Sequence, residues 1–210
     1  MKAPIGFGAF FFFAPAPQGE LLILLAIFAF MFNFSKNKKT ETKIKDIIWI
    51  NSDAKWKGLE DLWRKDPNTV FVFWFDESLE EAKSKVSDAK IEFASAREVN
   101  HHLIPTKPVI FAEHYPLQKK EQELFQQLQL KEVKVLSALD EPLFKKFGAD
   151  KIIDMLKHMG MKENDPLENQ LITNAIKNAQ QKLEKQVIIE HSAPSQRSWL
   201  EKNLPSEKNY

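Results

Sequence analysis

The hydrophobic positions of this chain change their period along its length. From Asp46 to Leu136, short apolar runs alternate with stretches in which apolar residues recur every three or four positions. The runs are 46–51 (DIIWIN), 69–75 (TVFVFWF), 90–94, 109–112 (VIFA) and 132–136, and they predict five strands. TVFVFWF is β-branched or aromatic throughout, with no polar alternation, as in a strand covered on both faces. Between the runs the spacing predicts helices. One spans 54–64, with Trp56, Leu59, Leu62 and Trp63 on one side, and another spans 77–86, with Asp76 or Ser78 as cap. Two more are predicted near 96–101 and over 117–129, while Asp66-Pro67-Asn68 and Ile104-Pro105 are breaks. Strand–helix units repeated at this length predict an α/β fold, a mainly parallel sheet with flanking helices.

A second pattern begins at Leu167. Leu167, Leu171, Ala175, Ala179, Leu183 and Val187 step by four, with Ile172 and Ile176 beside them. This is the stripe of a long amphipathic helix, with Asp165 as cap and Pro166 in the first turn. Such a stripe either covers its own domain or forms a contact face for another protein. The candidate partner-binding residues are Leu167, Leu171, Ile172, Ile176 and Leu183. Trp199 joins them from a last helical turn at 198–203, as the one tryptophan expected outside the core.

A third pattern is N-terminal. Between Ala3 and Phe34 the only charge is Glu20, and Leu21 to Phe34 is continuously apolar apart from Asn33. The expectation is a transmembrane helix over 19–35, anchored by Leu21, Leu22, Ile23, Leu24, Leu25, Ile27, Phe28, Phe30 and Phe32. Residues 1–18 would form a Phe/Pro-rich outer segment and 36–45 a basic linker. Lys2 precedes the apolar core, whereas Lys36, Lys38, Lys39, Lys43 and Lys45 follow it. That asymmetry places the N-terminus outside and the rest of the chain in the cytoplasm.

Charge and chemistry narrow the function further. The chain has 30 basic and 29 acidic residues, so no overall field selects nucleic acid, and it has no cysteine for thiolate chemistry. His101 and His102 are adjacent, which on a helix points them about 100° apart. No metal site is expected there. The acidic run Asp76, Glu77, Glu80 and Glu81 suits a helix N-terminus. Glu113-His114-Tyr115 follows a strand, where α/β folds place their sites, but no nucleophile or phosphate loop accompanies it and a structural role is expected.

Four passages carry a resemblance. They are LSALDEPLFKKFGADKI at 136–152, MLKHMGM at 155–161, ENDPLE at 163–168 and IKNAQQKLE at 176–184. In order and spacing they resemble SecA, the motor ATPase of the bacterial preprotein translocase, where its second nucleotide-binding fold passes into the helical scaffold. The resemblance continues more faintly through Trp56, Glu60, TVFVFWFDESLEEAKSKV and PVIFAEHYPLQKKEQELFQQL, in which Glu113 and His114 match in kind. It implies a RecA-like nucleotide-binding fold over 46–147, a scaffold-like segment over 148–190 and a tail over 191–210.

The chemistry of that family is missing. No G-x-x-x-x-G-K-[ST] phosphate loop is present. Where the family carries an arginine- and glycine-rich stretch this chain reads FQQLQLKEV, and its three arginines are Arg64, Arg97 and Arg197. The resemblance therefore implies a degenerate, non-catalytic domain with no cofactor. The expected role is an accessory or structural subunit, anchored in the bacterial inner membrane, binding a membrane protein complex such as the Sec machinery. Neither nucleic acid nor a small-molecule substrate is expected. The alternative is an NTPase component that completes a nucleotide site in trans, with Lys119 or Lys120 in place of the lost arginines.

Overall fold

The computed structural model describes residues 41–99 and 107–204. In chain order these form β1 (Lys43–Trp49), α1 (Ser52–Lys65), β2 (Val70–Phe73), α2 (Asp76–Lys85), β3 (Glu92–Ser95), β4 (Val109–Phe111), α3 (Gln118–Gln127) and β5 (Glu132–Ala138), then α4 (Pro142–Lys146), α5 (Ala149–His158), α6 (Gln170–Glu184) and α7 (Gln196–Asn203). The five strands form one sheet in the order β1-β5-β4-β2-β3. Every pairing is parallel: Lys43 to Trp49 run beside Glu132 to Ala138, and Val70 to Phe73 beside Glu92 to Ser95. A five-stranded parallel sheet with helices on both faces is consistent with the RecA-like arrangement that the resemblance implies.

The alternation along the strands decides which helix covers which face. On one face Ile47, Trp49, Phe71, Phe73, Ile110 and Leu136 pack against Trp56 and Leu59 of α1 and Ala82 of α2. On the other, Val70, Val72, Phe111, Val133 and Val135 pack against Phe125 of α3 and Leu128 just after it. Ile48 of β1 and Ile50 just beyond it belong to neither set. They are covered by a third cluster drawn from α4, α5, α6 and α7, which includes Leu143, Ile152, Ile172, Ile176, Leu183 and Trp199. Residues 148–190 thus pack directly on the edge of the sheet. At one point α1 lies so close to the sheet that no side chain fits: a Cβ on Gly58 would sit 2.1 Å from the Trp49 ring.

Three sequence expectations are corrected here. The long helix begins at Gln170, capped by Asn169, whose Oδ1 accepts from the Leu171 N–H at 2.8 Å. Leu167 instead pairs antiparallel with Ile48, through backbone bonds of 2.7 and 3.0 Å. β1 is an edge strand with open N–H and C=O groups, and this bridge satisfies one pair of them before the helix starts. Second, α2 starts at Asp76, and neither Asp76 nor Ser78 serves as its cap: that position is Phe75, with no side-chain hydrogen bond.

The third concerns the transmembrane element of the expected fold and the single-pass inner-membrane placement. Among the described residues no helix is long and apolar enough to cross a membrane. The longest, α6, has 15 residues, against about 20 for a span, and its apolar side is a stripe rather than a full circumference. The residues on which the membrane expectation rested, Leu21, Leu22, Ile23, Leu24, Leu25, Ile27, Phe28, Phe30 and Phe32, lie outside the described residues, as do His101 and His102. Of the short helix expected near 96–101, the described part, Ala96 to Val99, contains a turn.

Candidate functional site

Because the strands are parallel, their C-terminal ends open on one side of the sheet, where the loops after β1, β2, β4 and β5 meet. The segment after β4 sits in the middle of that side. Its three consecutive residues enter three different surroundings: Glu113 faces the α1–α2–α4 side, His114 is enclosed between β1 and α3, and Tyr115 faces α7.

Glu113 is 3% exposed. Its Oε1 accepts the Trp74 and Phe75 backbone N–H groups, both at 2.9 Å, and so ties the end of β2 to the end of β4. Burial pushes its carboxyl up to about 7, against the opposing pull of Lys55. Lys55 lies on α1 beneath it and is 2% exposed. Its Nζ donates to the Ala112 carbonyl at 3.1 Å and to Glu141 Oε1 at 2.6 Å. Glu141 is also raised, by burial first, with Lys55 opposing. Its Oε1 additionally accepts the Ala138 N–H at 3.0 Å, while its Oε2 has no hydrogen-bond partner.

His114 is held at both ring nitrogens. Nε2 lies 2.7 Å from Asp46 Oδ1 and Nδ1 lies 2.9 Å from Glu121 Oε1. Burial alone would favour the neutral imidazole, but the two carboxylates outweigh it and hold the pKa well above the ordinary histidine range. Glu121 also accepts the Tyr115 N–H at 2.6 Å and the Gln180 amide of α6 at 2.8 Å. The long helix is therefore pinned to the strand-end loop by a buried polar network as well as by its apolar stripe.

Tyr115 packs on Trp199 with ring centroids 5.9 Å apart, and its hydroxyl donates to Glu190. Glu190 also accepts from Trp199 Nε1 at 3.1 Å and pairs with Lys120 at 2.7 Å. Although partial burial opposes it, these partners hold the Glu190 carboxyl below its usual range.

Most of the expected partner-binding stripe faces inward. Ile172, Ile176, Leu183 and Trp199 are buried, Trp199 completely, and Leu167 and Leu171 are half-buried against the same cluster. β1 is the edge strand, and although Ile44 packs on the α3 side, Ile48 and Ile50 are covered by the cluster that α6 and α7 join. The exposed large apolar residues among those described are Ile188 and Ile189, between α6 and α7. Lys119 is exposed, whereas Lys120 is already engaged by Glu190.

Sequence reasoning had not singled out Lys55, Asp46, Glu121, Glu141 or Gln180. Two of them left a trace: Lys55 shares a helical face with Leu59 and Leu62, and Glu121 shares one with Phe125 and Leu128. A charge inside an apolar stripe marks a buried pair.

Comparison with known proteins agrees with the resemblance over a limited stretch. No protein-family profile matches the chain. The chain is 45% identical over 47 residues to the protein translocase subunit SecA of Maridesulfovibrio salexigens, covering 22% of this chain and 6% of that protein. It is 45% identical over 49 residues to SecA of Syntrophobacter fumaroxidans, covering 23% and 6%, and 36% identical over 47 residues to SecA of Acetivibrio thermocellus, covering 22% and 5%. The chain carries a SecA-like region. That region spans about a twentieth of the length of the curated relatives it matches.

Proposed function

We propose that this protein is a non-catalytic, SecA-like accessory or structural subunit of protein translocation, which docks its folded domain on the protein-export machinery. The SecA-like region supports the translocation part. One structural observation supports the non-catalytic part. The backbone N–H groups at the strand ends, which in nucleotide-binding folds cradle phosphate, are taken here by the chain's own carboxylates. Asp140 accepts from Ser52, Glu113 from Trp74 and Phe75, Glu141 from Ala138, and Glu121 from Tyr115. An incoming phosphate would meet these carboxylates instead of free donors, and like charges repel. Of the two lysines that the alternative would assign to a partner's phosphate, Lys120 is paired with Glu190 at 2.7 Å, while Lys119 is exposed.

Two measurements test the two halves separately. Affinity capture of the tagged chain from its own cells, read by mass spectrometry, should recover SecY or SecA in near-equal amounts. Recovery of a different stoichiometric complex would sink the translocation reading. Titration of the purified chain with a fluorescent ATP analogue should show no saturable binding; saturable binding, or ATP hydrolysis, would sink the non-catalytic reading.

A further inference from the structure

The path of the chain through the sheet leaves an opening at the strand ends. β2 and β4 are neighbours, yet β2 leads to α2 on one face and β4 leads to α3 on the other. Their loops part, and such a switch point leaves a crevice where α/β folds take ligands. On the α3 side that crevice is a cavity of about 350 Å³. Trp74 after β2 and Tyr115 after β4 line it, with Arg97 after β3 and Lys120, Glu123 and Leu124 along α3.

Two features point to the kind of ligand. The floor is aromatic and rigid. Trp74 packs on Phe111 and Tyr115, with ring centroids 5.6 and 5.0 Å away, and Phe75 stacks on Tyr115 at 5.6 Å. The rings behind are buried, whereas Trp74 is only half-buried and keeps part of its surface open. A flat apolar surface of this kind takes another ring by stacking. The second feature is a guanidinium on the same cavity. Arg97 Nη1 lies 3.6 Å from Asp76 Oδ2, beyond hydrogen-bond range, so this pair leaves the N–H fork of Arg97 unspent. Lys120, by contrast, is bound to Glu190 at 2.7 Å, and Glu123 adds a negative charge to the same wall. The crevice therefore suits one negative charge, held at Arg97, and leaves a doubly charged phosphate undercompensated. The far wall, Ser192 and Ala193, is already in place: Glu190 fastens that segment to Tyr115 and Trp199, and the His191 N–H donates to Asn203 Oδ1 at 2.6 Å.

We propose that this crevice binds a ligand that carries an aromatic ring and, a few bonds away, a single carboxylate: the ring lies on Trp74 and the carboxylate accepts from the N–H fork of Arg97. A planar carboxylate matches that fork in a bidentate pair, which a lysine cannot offer. An apolar floor with one fixed polar group is the ordinary make-up of a small-molecule site. Free arylalkanoic acids and the C-terminal aromatic residue of a polypeptide share this chemistry. None of the strand-end carboxylates Glu113, Asp140 and Glu141 lines this crevice, so it can be occupied whether or not the translocation reading holds.

The test uses the full chain and its tryptophan indole N–H resonances. Trp74 lines the crevice, whereas Trp63 Nε1 donates to the Pro67 carbonyl outside it. Titration with 3-phenylpropionate, and separately with N-acetyl-phenylalanine, should shift the Trp74 resonance saturably and leave Trp63 in place. Propionate lacks the ring and N-acetyl-phenylalanine amide lacks the carboxylate, so each should bind about tenfold more weakly than its parent acid. Arg97→Gln should weaken binding of 3-phenylpropionate about three- to tenfold, and Arg97→Lys, which keeps the charge without the fork, by a smaller factor. Arg97 is exposed, so both variants leave the core intact. Glu123→Gln removes a like charge from the wall and should tighten binding about twofold. Binding of both acids assigns the site to the shared chemistry, binding of 3-phenylpropionate alone to a free acid, and binding of N-acetyl-phenylalanine alone to a chain terminus. No saturable Trp74 shift with either acid, an amide that binds as tightly as its acid, or native affinity in Arg97→Gln overturns the proposal.

Discussion

Glu113 offers a sharp test of the strand-end architecture because its charge state and its structural work can be separated. In the folded chain its carboxyl is raised by burial to about 7, from an ordinary value of 4.5. Between those two pH values the folded state holds a proton that the unfolded state has released. Stability therefore falls as pH rises through that window, and the loss is complete above the folded pKa. A difference of roughly 2.5 units at about 1.4 kcal/mol each amounts to about 3 kcal/mol. The groups facing Glu113 are Lys55 from α1, which opposes the shift, Ser78 from α2, Glu141 before α4, and the Trp74 and Phe75 amides. Glu113→Gln keeps an acceptor for those amides and removes the titration. At pH 5 the variant and the native chain should unfold in urea at similar concentrations. At pH 8.5 the variant should be the more stable by about 2–3 kcal/mol. His114 also titrates upward, but both proteins share it, so it cancels in the difference. A difference that stays flat with pH, or in which the variant loses ground at high pH, would refute the reasoning.

Two further changes probe the packing on either side of this loop. Gly58→Ala places a Cβ 2.1 Å from the Trp49 ring. Helix propensity alone would favour alanine by about 1 kcal/mol, yet the forced shift of a buried tryptophan should leave the variant about 1–3 kcal/mol less stable in urea unfolding. Stabilisation would show that α1 can retreat from the sheet. Lys55→Met removes the cation from a fully buried ion pair and strands Glu141, so it should cost about 3–5 kcal/mol at pH 8 and visibly less at pH 5, where the carboxyls can take up protons. Equal costs at both pH values would show that Glu141 is not the group left unpaired.

The sheet was legible because its strands obey a simple rule. TVFVFWF sends Phe71 and Phe73 to one face and Val70 and Val72 to the other, and both faces are covered. The ends of the elements were less legible. Leu167 continues the four-residue step of α6, yet its backbone is drawn into a bridge with Ile48, because an edge strand offers hydrogen bonds that the local sequence does not announce. Trp199 read as a surface residue for a similar reason. Its segment is polar and short, and the residues that bury it, Tyr115 at 5.9 Å and the cluster that includes Ile48 and Leu183, are distant in sequence.

The polar centre was the least legible part, and the reason is physical. Asp46, Glu121, Gln180 and His114 come from β1, α3, α6 and the β4 loop, so no local spacing relates them. What the sequence does contain is a conflict of levels: Lys55 and Glu121 stand where their helices require an apolar residue. Such conflicts persist in a stable fold only when a partner of opposite charge is buried with them. Lys55 finds Glu141, and Glu121 finds His114. The pairing engages one oxygen of each acid only: among the described residues the second oxygens of Glu141 and Asp46 are buried without a hydrogen-bond partner.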